Sequence, residues 1–308
     1  MTETVPDILV GGGAGYIGSH VTKVLRDSGR HPVVFDNLST GLRDNLYKEI
    51  PFIHGDLMVQ KDILSAMKGI PDIGIFTFQE LFDAVIEITK MSNLPLIVDV
   101  DTGFGEVINV TRTVSDLESI GVAAIQIEDQ LFPKRCGHLE GKEIIKAKEF
   151  AKKIYAAKSV SKDMLVIART DAKAVEGIDS AIERAKLYKD AGADIIFPEA
   201  LETEEEFKLF AESVNGDMLA NMTEFGKTPY YTAEKFADMG YKIIIYPVSS
   251  LRIALNAISD LFDEIMKTGT QVKFVEDMLT RKDLYNLINY DSYVKMDESL
   301  GGDDLISK

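Results

Sequence analysis

LPLIVDVD at 94–101, AAIQIED at 123–129, MLVIART at 164–170, ADIIFPE at 193–199, DMLANM at 217–222 and KIIIYP at 242–247 decide how this chain reads. Each is a short apolar run that gives way to polar or charged residues. Continuous apolar runs, rather than alternating ones, suit parallel strands covered on both faces. Between them lie stretches with helical spacing. Val107, Val110, Val114 and Leu117 fall on one helical face, and Ile178, Ile182, Ala185 and Tyr188 on another. One joint recurs as SIGVAAI, DAGADII and DMGYKII, where Gly121, Gly192 and Gly240 precede the next strand. Glycine stops a helix readily because it takes left-handed backbone without a Cβ clash. Repeated strand–helix units with short returns fit a barrel or an open doubly wound sheet.

The polar strand ends favour the barrel. Asp99 and Asp101, Glu128, Arg169, Glu199 and Asn221 stand at or near the C-terminal ends of successive strands. A barrel gathers these ends on one face, whereas an open sheet spreads them along an edge. The expected fold is therefore α/β, a (β/α)8 TIM-like barrel. Only six strands are clear between residues 70 and 308, so two are wanting there.

The region before residue 70 has a different pattern. DILV is a short strand, GGGAGYIGSH follows at 11–20, and VTKVLRDSG reads as a helix stopped by Gly29. PVVFDN at 32–37 and PFIHGD at 51–56 read as further strands, and residues 61–68 as a short helix. The expected division is a Rossmann-like β-α-β segment at 1–69 and a barrel region with C-terminal helices at 70–308. The segment has roughly the size of two barrel units, so it is expected to supply the missing ones.

The totals exclude several classes of function. The chain has 308 residues, 34 Lys and Arg, 50 Asp and Glu, and a net charge of −16. Such a balance argues against a nucleic-acid partner, since phosphate contacts need clustered cations. No apolar run is long enough to cross a bilayer, so no membrane partner is expected. MTETVPDILV lacks the basic start and cleavage site of a signal peptide, and the single cysteine, Cys136, permits no intrachain disulfide. The expected location is the cytoplasm.

Asp99 and Asp101 are two apart on one strand, which places both carboxylates on the same side. Glu128 ends the next strand. Three hard oxygen donors with little competing His or Cys suit Mg²⁺ or Mn²⁺; Asp-x-Asp alone reads equally as a solvated acidic loop. Cys136 lies in KRCGH at 134–138, where Lys134, Arg135 and His138 are expected to lower the thiol pKa and make it a proton donor or acceptor. Arg169 could grip a substrate carboxylate through two parallel hydrogen bonds, or form an ion pair with Glu199 or Asp171. Asn221 and Thr223 in LANMTEFG could bind a second carboxylate or cap a turn.

PDIG (71–74), VDVDTGFG (98–105), IEDQ (127–130), KRCGH, IARTDA (167–172), FPEA (197–200), LANMTEFG (219–226) and YPVSSLR (246–252) stand in an order that resembles the isocitrate lyase and phosphoenolpyruvate mutase superfamily, with the methylisocitrate lyase family nearest. The resemblance implies Mg²⁺-assisted cleavage of 2-methylisocitrate or isocitrate to succinate and pyruvate or glyoxylate. It implies that Asp72, Asp99, Asp101 and Glu128 surround the metal. It makes Cys136, Arg169 and Glu199 catalytic, with Gly137, His138, Asn221 and Thr223 binding a tricarboxylate. It also implies a homo-oligomer, a tetramer that exchanges C-terminal helices. A phosphonate-forming mutase or an oxaloacetate decarboxylase is the runner-up among enzymes. KRCGH argues against both, because carbon–carbon cleavage needs a proton donor there.

The family's first two βα units, with their Ser-Gly-Gly loop, are absent. GGGAGYIGSH, FDNLSTG (35–41) and GDL (55–57) instead resemble nucleotide-sugar epimerases of the extended short-chain dehydrogenase family. Gly12, Gly15, Gly18 and Asp36 match that family's dinucleotide fingerprint. NAD is a possible but disfavoured cofactor, since a dinucleotide needs two mononucleotide-binding halves and only part of one is here. The alternative to an active lyase is a chimeric or engineered fusion of an epimerase fragment and a lyase barrel with little or no catalysis.

Overall fold

The computed structural model describes residues 72–91 and 94–300, together with 8–11, 22–23, 25–27, 32–36, 47 and 52–54. The chain divides into two compact units, Met1–Ile8 with Gly55–Leu251, and Leu9–His54 with Arg252–Lys308. The expected helix at 61–68 and the glycines Gly12, Gly15 and Gly18 lie outside the described residues.

Strands β1 (Ile8–Gly11), β2 (Pro32–Asp36) and β3 (Phe52–His54) form a three-stranded sheet in that order. β2 and β3 are parallel, with Val34 opposite Phe52 and Asp36 opposite His54. Thr22, Lys23 and Leu25–Asp27 are helical, within the expected helix.

The larger unit carries β4 (Ile97–Asp99), β5 (Ala124–Glu128), β6 (Leu165–Thr170), β7 (Ile195–Pro198), β8 (Asp217–Asn221) and β9 (Ile243–Ile245). They pair in chain order as one six-stranded sheet, and every pair is parallel. This is the wall of a TIM-like α/β barrel. Residues alternate between its faces, and both faces are apolar. Ala124, Ile167, Ile195, Phe197 and Leu219 form one buried cluster. Ile125, Ile127, Val166, Ala168, Ile196, Met218 and Ala220 join a second cluster with the covering helices.

Those helices bury the faces that their spacing requires. In Val107–Ser119, Val110, Val114 and Leu117 are buried. Val107 is a correction: it is 38% exposed, because the first residue of the helix overhangs its covered face. In Ile178–Asp190, Ile182, Ala185 and Tyr188 are buried. Gly121, Gly192 and Gly240 have φ of 87°, 108° and 96°, so the recurring joint is left-handed at all three positions. β4 is shorter than LPLIVDVD suggests. Asp101 begins a turn with φ 49° while its carbonyl still accepts from Glu128 N at 2.8 Å, a conformation that Asp tolerates better than most residues.

Helix Ser249–Thr268 contains no buried residue, and Ile258, Phe262 and Met266 leave an apolar stripe in the open. Among the described residues no helix is long and apolar enough to cross a membrane.

Candidate active site

Strand register brings the chemistry together. Asp99 pairs with Gln126, Glu128 with Arg169, and Arg169 with Phe197. Glu199 follows β7 directly and Asn221 ends β8. All the expected strand-end side chains therefore lie at the C-terminal end of one sheet, within one compact unit.

Arg169 is the hub. It is buried, and its Nε and Nη2 donate to Asp171 at 3.0 and 3.2 Å. Nη1 lies 3.4 Å from both Glu128 Oε2 and Glu199 Oε2. The bidentate fork is thus committed to Asp171, and Nη1 is turned to the two glutamates. Burial works against the guanidinium charge, but Asp171, Glu128 and Glu199 outweigh it and hold Arg169 firmly protonated.

The two glutamates sharing Nη1 differ. Burial pushes the Glu128 carboxyl up to about 8, against the pull of Arg169 and Lys134. Neither of its buried oxygens accepts a hydrogen bond from the described residues. At Glu199, burial is overcome by Arg169 and His138, and the carboxyl is held down to about 2. His138 Nε2 is 3.0 Å from Glu199 Oε1. His138 Nδ1 accepts from the Lys227 backbone N–H at 2.9 Å, so the neutral ring carries its proton on Nε2 and donates it to Glu199. Glu199 Oε1 also accepts from Ala200 N at 2.9 Å. Asn221 Nδ2 is 3.4 Å from both Glu199 oxygens, while Asn221 Oδ1 is buried without a hydrogen-bond partner among the described residues. Thr223 is buried just past β8.

The acidic cluster contains a cation that the sequence had seemed to place beside the thiol. Lys134 is buried, with Nζ 2.6 Å from Asp72 Oδ1 and 3.2 Å from Asp101 Oδ1. Burial lowers its pKa, but Glu128, Asp99 and Asp72 raise it further. Asp99 Oδ1 accepts from Asp101 N at 2.9 Å and Gln126 Nε2 at 3.2 Å. Among the described residues no three acidic, His or Cys side chains are gathered closely enough to hold a bare metal ion. Mg²⁺, however, keeps several of its waters and needs only one or two direct carboxylates. The bare oxygens of Glu128, beside Asp72, Asp99 and Asp101, fit such an ion in donor type and charge.

Cys136 is a correction. Its side chain is exposed at the mouth of the site. Its sequence neighbours do not lower the thiol pKa: the protein packed around its base raises it although the side chain reaches the surface, and the backbone N–H of His138 only partly offsets this. Lys134 has turned to the aspartates and His138 to Glu199. A raised pKa keeps the thiol protonated at neutral pH, which suits a proton donor rather than an acceptor. Gly137 next to it is a point of close approach. A Cβ there would lie 2.3 Å from Glu199 Cγ and 2.5 Å from Arg169 Nη2.

Asp129, adjacent to Glu128, is a buried group that the motifs did not reveal. It accepts from Thr170 Oγ1 at 2.8 Å, Asp171 N at 2.9 Å and Tyr188 OH at 2.8 Å. Its signal was indirect: a buried helical Tyr needs a partner for its hydroxyl. Of the expected nucleotide residues, Gly12, Gly15 and Gly18 lie outside the described residues, and Asp36 is described only as the last residue of β2.

Parallel βα repeats with an acidic cluster, a buried arginine and an exposed thiol loop at the strand ends define a class of barrel enzymes. The chain belongs to the phosphoenolpyruvate phosphomutase family, whose model matches residues 63–266. It is 49% identical over 244 residues to the 2-methylisocitrate lyase of Halalkalibacterium halodurans, covering 79% of this chain and 81% of that protein. It is 53% identical over 229 residues to the 2-methylisocitrate lyase of Aeropyrum pernix, covering 74% of each. A crystal structure of 2,3-dimethylmalate lyase superposes with a TM-score of 0.73 at 28% identity, covering 96% of this chain and 91% of that one. A second model, of the NAD dependent epimerase/dehydratase family, matches residues 8–77. Both resemblances read from the motifs are therefore present in one chain.

Proposed function

We propose that this protein is a Mg²⁺-dependent carbon–carbon lyase that cleaves 2-methylisocitrate to pyruvate and succinate. The observation that carries the reading is the exposed Cys136 thiol at the rim of a buried Arg169–Glu199–Glu128 cluster. In such a cleavage the substrate hydroxyl loses its proton, the adjacent carbon–carbon bond breaks, and the succinate carbanion takes a proton. Cys136 Sγ–H supplies that last proton. Asp72, Asp99, Asp101 and Glu128 would hold the metal, directly or through water. When bound, the ion would stabilise negative charge developing on the substrate oxygens. Glu199, kept ionised and oriented by His138 and Arg169, fixes the floor, while Asn221, Thr223, Gly137 and His138 contact the substrate carboxylates. The assay is incubation with Mg²⁺ and either 2-methylisocitrate or isocitrate. Succinate with pyruvate is the expected result. No cleavage of either acid would favour the fusion of two families' segments into a chain with little activity.

The raised Glu128 pKa gives this proposal a pH signature. Between the ordinary carboxylate range and about 8, folded Glu128 keeps a proton that the unfolded chain releases. Stability of the metal-free protein should therefore fall as pH rises through that window. A divalent ion binds the ionised form, so stabilisation by Mg²⁺ should grow over the same window. Thermal melts with and without Mg²⁺ across it check this. Equal Mg²⁺ stabilisation at both ends of the window would remove Glu128 from the metal site.

Residues 1–69 are proposed as a structural segment that takes the place of the family's missing βα units and completes the barrel, not as a working NAD site. What supports this is the difference in reach of two likenesses. The sequence likeness to the lyases covers 74–79% of this chain, whereas the structural likeness to 2,3-dimethylmalate lyase covers 96%. The protein is further proposed to be cytoplasmic and a homo-oligomer, a tetramer, in which the apolar stripe of Ser249–Thr268 is covered.

A further inference from the structure

The loop that carries Cys136 is tied down at nearly every residue. Arg135 N donates to Gln130 Oε1 at 2.9 Å, and Gln130 Nε2 returns a bond to Arg135 O at 2.8 Å. Lys134 is held by Asp72 and Asp101, and His138 by Glu199 and Lys227. The tether at Gly137 comes from outside the motif. Lys142 is buried, its Nζ donates to the Gly137 carbonyl oxygen, and the same Nζ is 3.1 Å from Asp171 Oδ1. That Asp171 carboxylate is the one that orients the Arg169 fork, and its backbone N–H is fixed by Asp129. One ammonium group therefore joins the residue beside the thiol to the anchor of the catalytic arginine.

We infer that Lys142 is a positioning residue, a latch that holds the Cys136 loop closed against the Arg169–Glu199 floor. It acts through Gly137 and Asp171 and touches no reacting atom. The physical need for it lies in the fit at Gly137, which approaches Glu199 and Arg169 too closely to admit a side chain. A loop seated so tightly has one productive position, and displacement by about 1 Å can cost on the order of 10²-fold in rate. Lysine serves because its ammonium offers three donors and can serve a carbonyl and a carboxylate together. The catalytic consequence rests on the reading of Cys136 as the proton donor; the latch itself does not.

The chain has one cysteine, so alkylation reports this loop alone. Lys142→Met should loosen the loop around the exposed thiol, relieve the crowding that keeps its pKa up, and speed its reaction with iodoacetamide at neutral pH several-fold. In the lyase assay kcat should fall about 10–100-fold and KM should rise by a smaller factor, because the thiol loses its placement while Gly137 is only one of four residues that contact the substrate carboxylates. Lys142→Arg, which keeps charge and donors, should restore much of both. Thermal melts identify the folded variants, and Lys142→Gln is read in the same way if the Met variant does not fold. A folded variant alkylated at the wild-type rate would overturn the latch, even in an active enzyme. Faster alkylation would uphold it even if the wild-type protein cleaved neither acid, a result that would sink only the lyase reading.

Discussion

Replacing Cys136 by serine lowers lyase turnover by about 10²–10⁴, the usual worth of a general acid. The change removes little volume, and the side chain is exposed, so the fold should be untouched. What changes is acidity: a hydroxyl gives up its proton far less readily than a thiol. The substrate's grip is made elsewhere, so the loss should appear in kcat with KM little altered. Because the protein packed around the thiol raises its pKa, activity should persist through neutral pH and decline only as the thiol ionises above its ordinary range. Steady-state rates at saturating substrate and Mg²⁺ measure the effect. Near-normal turnover in Cys136→Ser would assign the proton to another group.

Arg169→Met should be the most destabilising single change in the site. It leaves Glu128, Asp171 and Glu199 buried at 0 to 1% exposure without the guanidinium they share. Stranding buried carboxylates in this way costs about 3–5 kcal/mol, which would lower Tm by on the order of 10 °C. The carboxylates can escape by taking up protons, so the loss should be smaller in mild acid than in mild alkali. That pH dependence separates charge from packing, because the guanidinium also lies over Phe197, 5.4 Å from the ring centroid. A loss of Tm independent of pH would mean that only the packing mattered.

The sequence displayed the strands and the end of the sheet where the chemistry sits, because those follow from local pattern. Apolar runs marked the buried strands, and glycine marked the helix stops. Polar residues at strand ends then pointed to one face, and register does place Glu128 beside Arg169. The sequence was a poor guide to who partners whom. Lys134 and His138 flank Cys136 in the chain, yet their charges and protons go to residues from distant parts of the chain. Period-two geometry and loop turns send neighbours in opposite directions. Lys142 and Asp129 escaped notice for the same reason. Lys142 lies among ordinary polar residues and Asp129 stands in the shadow of Glu128 within IEDQ, and only the fold supplies their partners. Asp101 looked like a strand residue because its left-handed backbone has no signature beyond being an Asp.

The recurring left-handed glycine at Gly121, Gly192 and Gly240 bears on how likenesses to two families can stand in one chain. Each is the same mechanical fitting, a helix run-out that hands the backbone to the next parallel strand. A wall assembled from identical fittings treats every βα unit as an interchangeable part. A replacement needs matching length and handedness at its two ends, and its internal sequence is free. A segment of epimerase-like sequence ahead of lyase-like sequence would have to meet that requirement at its two ends.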